Sequence, residues 1–247
     1  MELKDIFRME MYKNRNNKPY LLVIAILTAM AAVSTFLGIA MIENKIAAEG
    51  GVFATLITLI VFTVLGLAVF SLLYPFHLLN VDYKNKVMSL IFASGVSREK
   101  YYFVKISATV LTSFIATFAI LLIPIVTFLL VYPEVFVEMM REIIENFTFA
   151  NIVPFVLMAI FSWLAYYVML TTSVIITKGK VAGIFLFMGF SFAISMIQSM
   201  FKVPLLLSQG LENYNMNFYF NFATVFSIIQ IVVFVLIGLT VLRKQDL

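Results

Sequence analysis

Residues 82–105 form a polar interruption in a largely apolar chain, and they read DYKNKVMSLIFASGVSREKYYFVK. The central residues, Lys86–Ala93, are long enough for about two turns of helix. Three apolar side chains stand at positions i, i+3 and i+4, the spacing of one helix face: Val87, Leu90 and Ile91. Gly95 is suited to end this helix, and Ser97 is suited to cap the helix that follows. The stretch therefore predicts a short amphipathic helix between two longer helices.

The remainder of the chain has the composition of a membrane protein. Of its 247 residues, 63% are hydrophobic and 12% are charged, whereas soluble proteins average about 25% charged residues. Its apolar runs reach the length of about 20 residues that a helix needs to cross a bilayer, and the short alternating segments of a membrane β-barrel are missing. We expect an all-α membrane protein with a single domain over residues 1–247. Its six spans are predicted at about 20–42, 52–80, 101–131, 150–177, 181–201 and 222–242.

The basic residues predict the orientation of these spans. One set of connecting segments holds fourteen Lys and Arg residues: Lys4, Arg8, Lys13, Arg15, Lys18, Lys84, Lys86, Arg98, Lys100, Lys105, Lys178, Lys180, Arg243 and Lys244. The other set holds three: Lys45, Arg141 and Lys202. Because Lys and Arg accumulate in cytoplasmic loops, both termini and the 82–100 loop are predicted to be cytoplasmic. The outer segments 133–149 and 202–221 are expected to lie flat on the membrane.

Residues 1–19 precede the first span and are predicted to form an interfacial helix. Four apolar residues approximate one helical face: Leu3, Ile6, Phe7 and Met11. Glu10 interrupts that face. An amphipathic helix of this kind lies in the plane of the membrane surface, next to lipid headgroups. A disordered basic tail is the alternative interpretation.

The sequence excludes several kinds of chemistry. The chain has no Cys and a single His, His77, so neither a disulfide nor a His- or Cys-based metal centre is expected. Gly179-Lys180 does not belong to a phosphate-binding loop, because that motif requires Gly where this chain has Val174 and Ser or Thr where it has Val181. We therefore predict no catalytic residue, no metal and no cofactor in this chain. The net charge of +4 reflects the cytoplasmic basic residues and does not indicate a nucleic-acid partner.

Charged residues are missing from the centre of every predicted span, which argues against a proton-driven pump. Uncharged polar residues are present instead. Ser191, Ser195 and Gln198 recur at i, i+4 and i+7 in the fifth span, and Thr112 belongs to a similar cluster in the third. Such residues serve either helix packing or a translocation surface, and both interpretations stay open. The Gly179-x-x-x-Gly183 spacing also permits close helix packing, although the pattern is a weak one.

The 82–105 stretch resembles the first cytoplasmic loop of ABC-2-type transporter permeases. That loop opens with an acidic residue, contains a Leu-x-x-Leu coupling helix, and continues through Pro-Val-Ser-Arg to a Lys in the next span. The matching residues are Asp82, Leu90, Val96-Ser97-Arg98 and Lys105. Two departures occur: Gly95 stands where Pro is usual, and Asn85-Lys86 where Gly-Thr is common.

The resemblance implies the membrane subunit of an ABC exporter in a bacterial cytoplasmic membrane. A separate ATPase dimer would hold ATP and Mg²⁺, and a second permease copy or a sister permease would complete the pathway. The residues implied in ATPase coupling are Lys86, Val87, Leu90, Ile91 and Arg98. Glu10, Asp82 and Lys105 would belong to the elbow helix and the cytoplasmic gate. An antimicrobial or amphipathic peptide is the implied cargo.

Three other interpretations stay open on the sequence. The 82–105 loop could simply connect two spans. A secondary carrier would need no ATPase, and Na⁺ coupling through backbone carbonyls would not require a charged residue within a span. A membrane sensor or assembly subunit would not transport at all.

Overall fold

The computed structural model describes residues 3–44, 50–134, 137, 141, 149–209 and 216–245. Over these residues the chain forms α-helices and contains no strand. The helices are α1 (Leu3–Arg15), α2 (Lys18–Asn44), α3 (Gly50–Lys84), α4 (Val87–Ala93), α5 (Arg98–Val131), α6 (Phe149–Ile176), α7 (Ala182–Gln209) and α8 (Met216–Lys244). Most of the predicted outer segment 133–149, and residues 210–215 of the other, lie outside the described residues.

Six helices, α2, α3, α5, α6, α7 and α8, are long and apolar enough to cross a membrane. Their candidate membrane segments are 22 to 34 residues long, and a helix of 20 residues already spans about 30 Å. The predicted fold class, an all-α membrane protein with six spans, is confirmed. Residues 202–209 continue α7 and residues 216–221 begin α8, so these parts of the outer segment 202–221 extend membrane helices.

The chain divides into two compact units. Unit 1 contains residues 1–6, 75–107 and 144–247, and unit 2 contains residues 7–74 and 108–143. Helices α3 and α5 each contribute one part to either unit. The 82–105 loop and its two flanking helix ends therefore belong wholly to unit 1.

Helix α6 packs along α8 within unit 1. The hydroxyls of Ser162 and Ser227 lie 3.1 Å apart across this contact. Thr172 donates a hydrogen bond to the Phe234 carbonyl, and its hydroxyl lies 3.2 Å from that of Tyr102. Gly238 permits this approach, because a Cβ there would lie 2.8 Å from the Tyr102 hydroxyl. Hydroxyl contacts and a small residue thus hold the helices of unit 1 together, as is common for helices in membranes.

A second contact of unit 1 joins the end of α3 to the turn between α6 and α7. Phe76, Leu79 and Val174 form a buried cluster, and Ile184 packs against it. A Cβ at Gly183 would lie 2.7 Å from the Thr177 hydroxyl and 3.4 Å from the Phe76 ring. Gly183 therefore lies close to Thr177 and Phe76, but Gly179 belongs to the turn before α7, so the two glycines do not form one packing face of a helix.

Unit 2 is held by aromatic and small residues on α2 and α3. The rings of Phe70 and Tyr74 stack at 5.2 Å, and the Tyr20 ring lies edge-on to Tyr74 at 4.1 Å. A Cβ at Gly66 would lie 2.5 Å from a methyl group of Leu27, so α3 approaches α2 closely at that point. The described contacts between α2 and α3 are consequently van der Waals contacts, a main source of helix association where lipid surrounds the protein.

Candidate functional site

The 82–105 loop joins α3 to α5 through two residues with left-handed backbone conformations, one on each side of α4. Helix α3 ends at Lys84, and Lys86 adopts the left-handed backbone conformation with φ of 53°. Helix α4 follows and ends at Ala93, after which Gly95 has φ of 86°. The Ser97 hydroxyl accepts a hydrogen bond from the Lys100 amide, so the predicted cap of α5 is confirmed.

The conformation of Gly95 explains one departure from the ABC-2 pattern. A φ of 86° lies in the left-handed region that Gly occupies without steric cost. Proline, which is usual at this position of the family loop, is held near a φ of −65°. Gly95 therefore gives the loop a backbone path that Pro could not follow.

The apolar residues of α4 point in different directions. Met88 and Ile91 are buried, with 1% and 8% of their surfaces exposed, and they form the inner face of the helix. Leu90 is 70% exposed, and Val87 is half-buried. The sequence-based expectation placed Val87, Leu90 and Ile91 on one docking face. In the folded chain Met88 and Ile91 face the interior, so Ile91 is not on an exposed face, and Leu90 is the apolar side chain of α4 that stays mostly exposed.

A buried ion pair closes the base of the loop. The ammonium nitrogen of Lys105 lies 2.5 Å from Oδ2 of Asp82, and the Tyr101 hydroxyl donates a hydrogen bond of 2.8 Å to the same oxygen. Asp82 is 0% exposed and Lys105 is 1% exposed. The structure thus brings together two of the residues that the family resemblance marked. Their charges compensate each other, as burial requires.

Arg98, a residue implied in ATPase coupling, binds the end of α8. Its Nη1 atom donates to the carbonyl oxygens of Leu242, Arg243 and Gln245 at 2.6, 2.7 and 2.9 Å. The last carbonyls of a helix have no partner within the helix and carry its negative dipole end, so a guanidinium is well suited to them. Arg98 therefore has a structural partner inside unit 1, whereas the sequence-based expectation assigned it to an external one.

Gln245 is a buried polar residue that the sequence gave no reason to select. Its side-chain amide donates to the Ile175 carbonyl at 2.6 Å and accepts from the Tyr83 hydroxyl at 3.0 Å. In the sequence it follows Arg243 and Lys244 and resembles a solvated tail. Its partners lie 70 and 162 positions away, so no local pattern could have identified it.

The turn between α6 and α7 lies against the loop. Gly179 has φ of 73°, and a Cβ there would lie 2.9 Å from the Tyr83 Cβ and 3.3 Å from the Asn80 Cα. Its amide donates to the Val174 carbonyl at 2.9 Å, which closes the C-terminal end of α6. Gly179 thus allows the 176–182 turn to touch the base of the 82–105 loop.

Glu10 and Thr112 lie in unit 2, where α1 packs on α5. The Asn14 side-chain amide donates to the Thr112 hydroxyl at 3.1 Å, and that hydroxyl donates to the Ala108 carbonyl at 2.6 Å. Glu10 and Asn14, one turn apart on α1, are 1% and 3% exposed. Ile6, one turn before Glu10, is also buried, and Phe7 and Met11 are half-buried, while Leu3 is 52% exposed. Three of the four residues in the predicted apolar stripe are therefore covered, Glu10 and Asn14 add polar groups to the same face, and Thr112 is engaged in the α1–α5 contact.

The polar residues of α7 lie on a sparsely covered helix. Ser195 is exposed, and Ser191 and Gln198 are half-buried. An open groove of about 590 Å³ follows this surface, lined by Phe192, Ser195, Met196, Ser199, Met200 and Val203. The described lining residues are apolar apart from Ser195 and Ser199, and none of them is charged.

No protein-family model matches the sequence, and no curated protein matches it. Among the residues that the structure describes, no three His, Cys, Asp or Glu side chains gather as metal ligands. The geometry of the 82–105 loop is therefore the main guide to function.

Proposed function

We propose that this chain is the membrane-spanning permease subunit of an ATP-binding-cassette exporter, with α4 as its coupling helix. The observation that supports the proposal best is Leu90, a large apolar side chain that is 70% exposed on a helix outside the membrane-length helices. Amphipathic helices dock into grooves of partner proteins through their exposed apolar side chains, and Leu90 is the large apolar side chain of α4 that is exposed. The loop that holds α4 is fixed at its base by the Asp82–Lys105 pair, so a push on Leu90 would reach the ends of α3 and α5.

The exposed charges of the loop and of the segments beside it indicate the charge of the proposed partner. Contacts of Gly179 with Tyr83, and of Arg243 with Glu99, bring the 176–182 turn and the end of α8 beside the loop. The exposed cations of these segments are Lys84, Lys86, Lys100, Lys178, Lys180, Arg243 and Lys244. In residues 80–105, 176–182 and 240–245, all described, Glu99 is the one exposed carboxylate. A partner with an acidic rim around an apolar groove complements this surface.

In this proposal a separate ATPase dimer binds ATP and Mg²⁺ and closes when ATP is bound. Two permease subunits, identical or sister chains, would then alternate between inward- and outward-open states. The apolar α7 groove is a candidate surface for an amphipathic cargo such as an antimicrobial peptide. The proposed setting is a bacterial cytoplasmic membrane with both termini in the cytoplasm.

The docking role of α4 is tested by comparing two neighbouring substitutions. Leu90→Asp would place an unpaired charge in the partner's groove, and the proposal predicts at least a tenfold loss of ATP hydrolysis that co-purifies with the tagged chain. The amount of folded protein in the membrane should not change, since Leu90 is exposed in the chain itself. Ile91→Asp should instead reduce the amount of folded protein, because Ile91 is buried.

A Leu90→Asp variant that keeps full ATP hydrolysis and transport would exclude α4 as the coupling helix. Flux driven by an ion gradient through the purified, reconstituted chain alone would favour a secondary carrier. A chain that associates with an ATPase without any flux would favour a sensor or assembly subunit.

The proposed orientation predicts which surface positions a thiol reagent reaches. The chain has no Cys, so single cysteines can be introduced without further changes. Ser94 and Glu134 are both exposed in the folded chain. In intact cells, an impermeant maleimide should label Glu134→Cys and should label Ser94→Cys only after the membrane is opened. Labelling of Ser94→Cys from outside would reverse the orientation.

A further inference from the structure

Arg98 and Gln245 connect the loop to the ends of the membrane helices through hydrogen bonds to residues distant in the sequence. One guanidinium nitrogen of Arg98 lies within 2.9 Å of three carbonyl oxygens at or just beyond the end of α8, and its two hydrogens are shared among them. Such charge-assisted bonds are shorter and stronger than bonds between neutral groups. Because one of those carbonyls belongs to Gln245, Arg98 also fixes the backbone of the residue that continues the connection.

Gln245 extends the connection to two further helices. Its side chain joins the Tyr83 hydroxyl at the end of α3 to the Ile175 carbonyl near the end of α6. The residue is 6% exposed, so water competes little for these bonds. The ends of α3, α6 and α8 therefore meet at one side chain.

Helix α4 is attached to the same group. The Arg98 guanidinium lies over the Phe92 ring, 5.6 Å from its centre, and the Phe92 ring packs edge-on against Tyr101 at 5.5 Å. Tyr101 in turn donates a hydrogen bond to Asp82. An ion pair between Glu99 and Arg243 runs beside these contacts. Arg98 is thus held between α4 on one side and the end of α8 on the other.

We propose that Arg98 and Gln245 are positioning residues that make α4 and the ends of α3, α6 and α8 move as one body. A displacement of α4 would then be delivered to the α6–α8 pair through the carbonyl end of α8. Arg98 acts through α8 in this scheme and needs no contact with a partner. That a partner pushes on α4 rests on the proposed function. The rigid junction that Arg98 and Gln245 form between these helices does not.

The junction is tested on the chain alone by measuring distances between spin labels. Cysteines at Ala93 and Lys244, both exposed, place one label on α4 and one at the end of α8. In the otherwise unchanged protein, double electron–electron resonance spectroscopy in lipid nanodiscs should give a narrow distribution of the distance between these two labels. Arg98→Gln and Gln245→Ala should each broaden it at least twofold, while Lys100→Gln, an exposed neighbour on α5, should leave it unchanged.

A second label pair separates this role from general stability. Met188 on α7 and Val225 on α8 are exposed and lie outside the junction. Their distance distribution should stay narrow in both variants. Broadening at both label pairs would show loosened packing of unit 1 as a whole and would overturn the proposal, as would an unchanged distribution at Ala93 and Lys244.

The same variants distinguish the junction from the proposed function. Leu90 stays exposed in Arg98→Gln and Gln245→Ala, so an ATPase partner should still bind, and substrate stimulation of its ATP hydrolysis should be lost. Absence of any ATPase partner, with the distance results as expected, would reject the proposed function and retain the junction. Full substrate stimulation in both variants would overturn the delivery of motion through Arg98 and Gln245.

Discussion

Replacing Lys105 with Met is expected to lower the free energy of unfolding by about 3–5 kcal/mol, because it leaves the buried carboxylate of Asp82 without its cation. The side chains of Asp82 and Lys105 are 0% and 1% exposed, so water cannot substitute for the lost partner. The thermal midpoint of the detergent-solubilised protein should fall by about 10 °C. Lys100→Met, on the exposed side of the same helix, should change it by less than about 2 °C.

A double substitution tests whether the pairing itself is responsible. Asp82→Asn removes the second charge and keeps an oxygen that can accept the Tyr101 hydrogen bond. The Asp82→Asn/Lys105→Met variant should therefore recover most of the lost midpoint, since replacing both charges of a buried pair is often nearly neutral. A double variant as unstable as Lys105→Met alone would show that the cost arises from packing and not from the unpaired charge.

Replacing Gly179 with Ala is expected to destabilise the protein by about 2–4 kcal/mol. Two effects combine at this position. The φ of 73° is unfavourable for any residue with a Cβ, and that Cβ would lie 2.9 Å from the Tyr83 Cβ. Tyr83 and the 176–182 turn would have to separate, which would also strain the bond between Tyr83 and Gln245.

Gly95 provides a matched control for this substitution. Its φ of 86° is similar, but nothing lies within 4 Å of the position that a Cβ would take. Gly95→Ala should therefore cost only the backbone effect, about 1 kcal/mol. Thermal unfolding of the two variants side by side isolates the close approach of Gly179 to α3. Equal losses of stability would contradict the importance of that contact.

The membrane helices could be predicted from the sequence because hydropathy is a property of each segment by itself. The apolar runs predicted at 20–42 and 101–131, for example, fall within α2 and α5. The cap at Ser97 was equally local, since its partner is the Lys100 amide three residues away. Features that depend on a few neighbouring residues were thus accessible before the structure.

The contacts of the candidate site depend on residues far apart in the chain. The two turns of α4 offered too few positions to decide that Ile91 points inward and Leu90 outward. Arg98 donates hydrogen bonds to backbone carbonyl oxygens 144 to 147 positions away. Because every residue has such an oxygen, no residue type in the sequence identifies these partners. The pattern of residues selected Arg98 and Leu90, while only the folded chain shows that Arg98 bonds to the end of α8 and that Leu90 is exposed.

The burial of the Asp82–Lys105 pair has a practical consequence for handling the protein. Salt shortens the Debye length from about 10 Å at 0.1 M to about 3 Å at 1 M, but it screens buried charges far less than exposed ones. A high-salt wash should therefore weaken attraction to the exposed cations of the loop and of the 176–182 turn while the ion pair at the base of the loop persists. In the proposed complex, high salt would therefore release an acidic partner without unfolding the loop, and dilution of the salt would let that partner bind again.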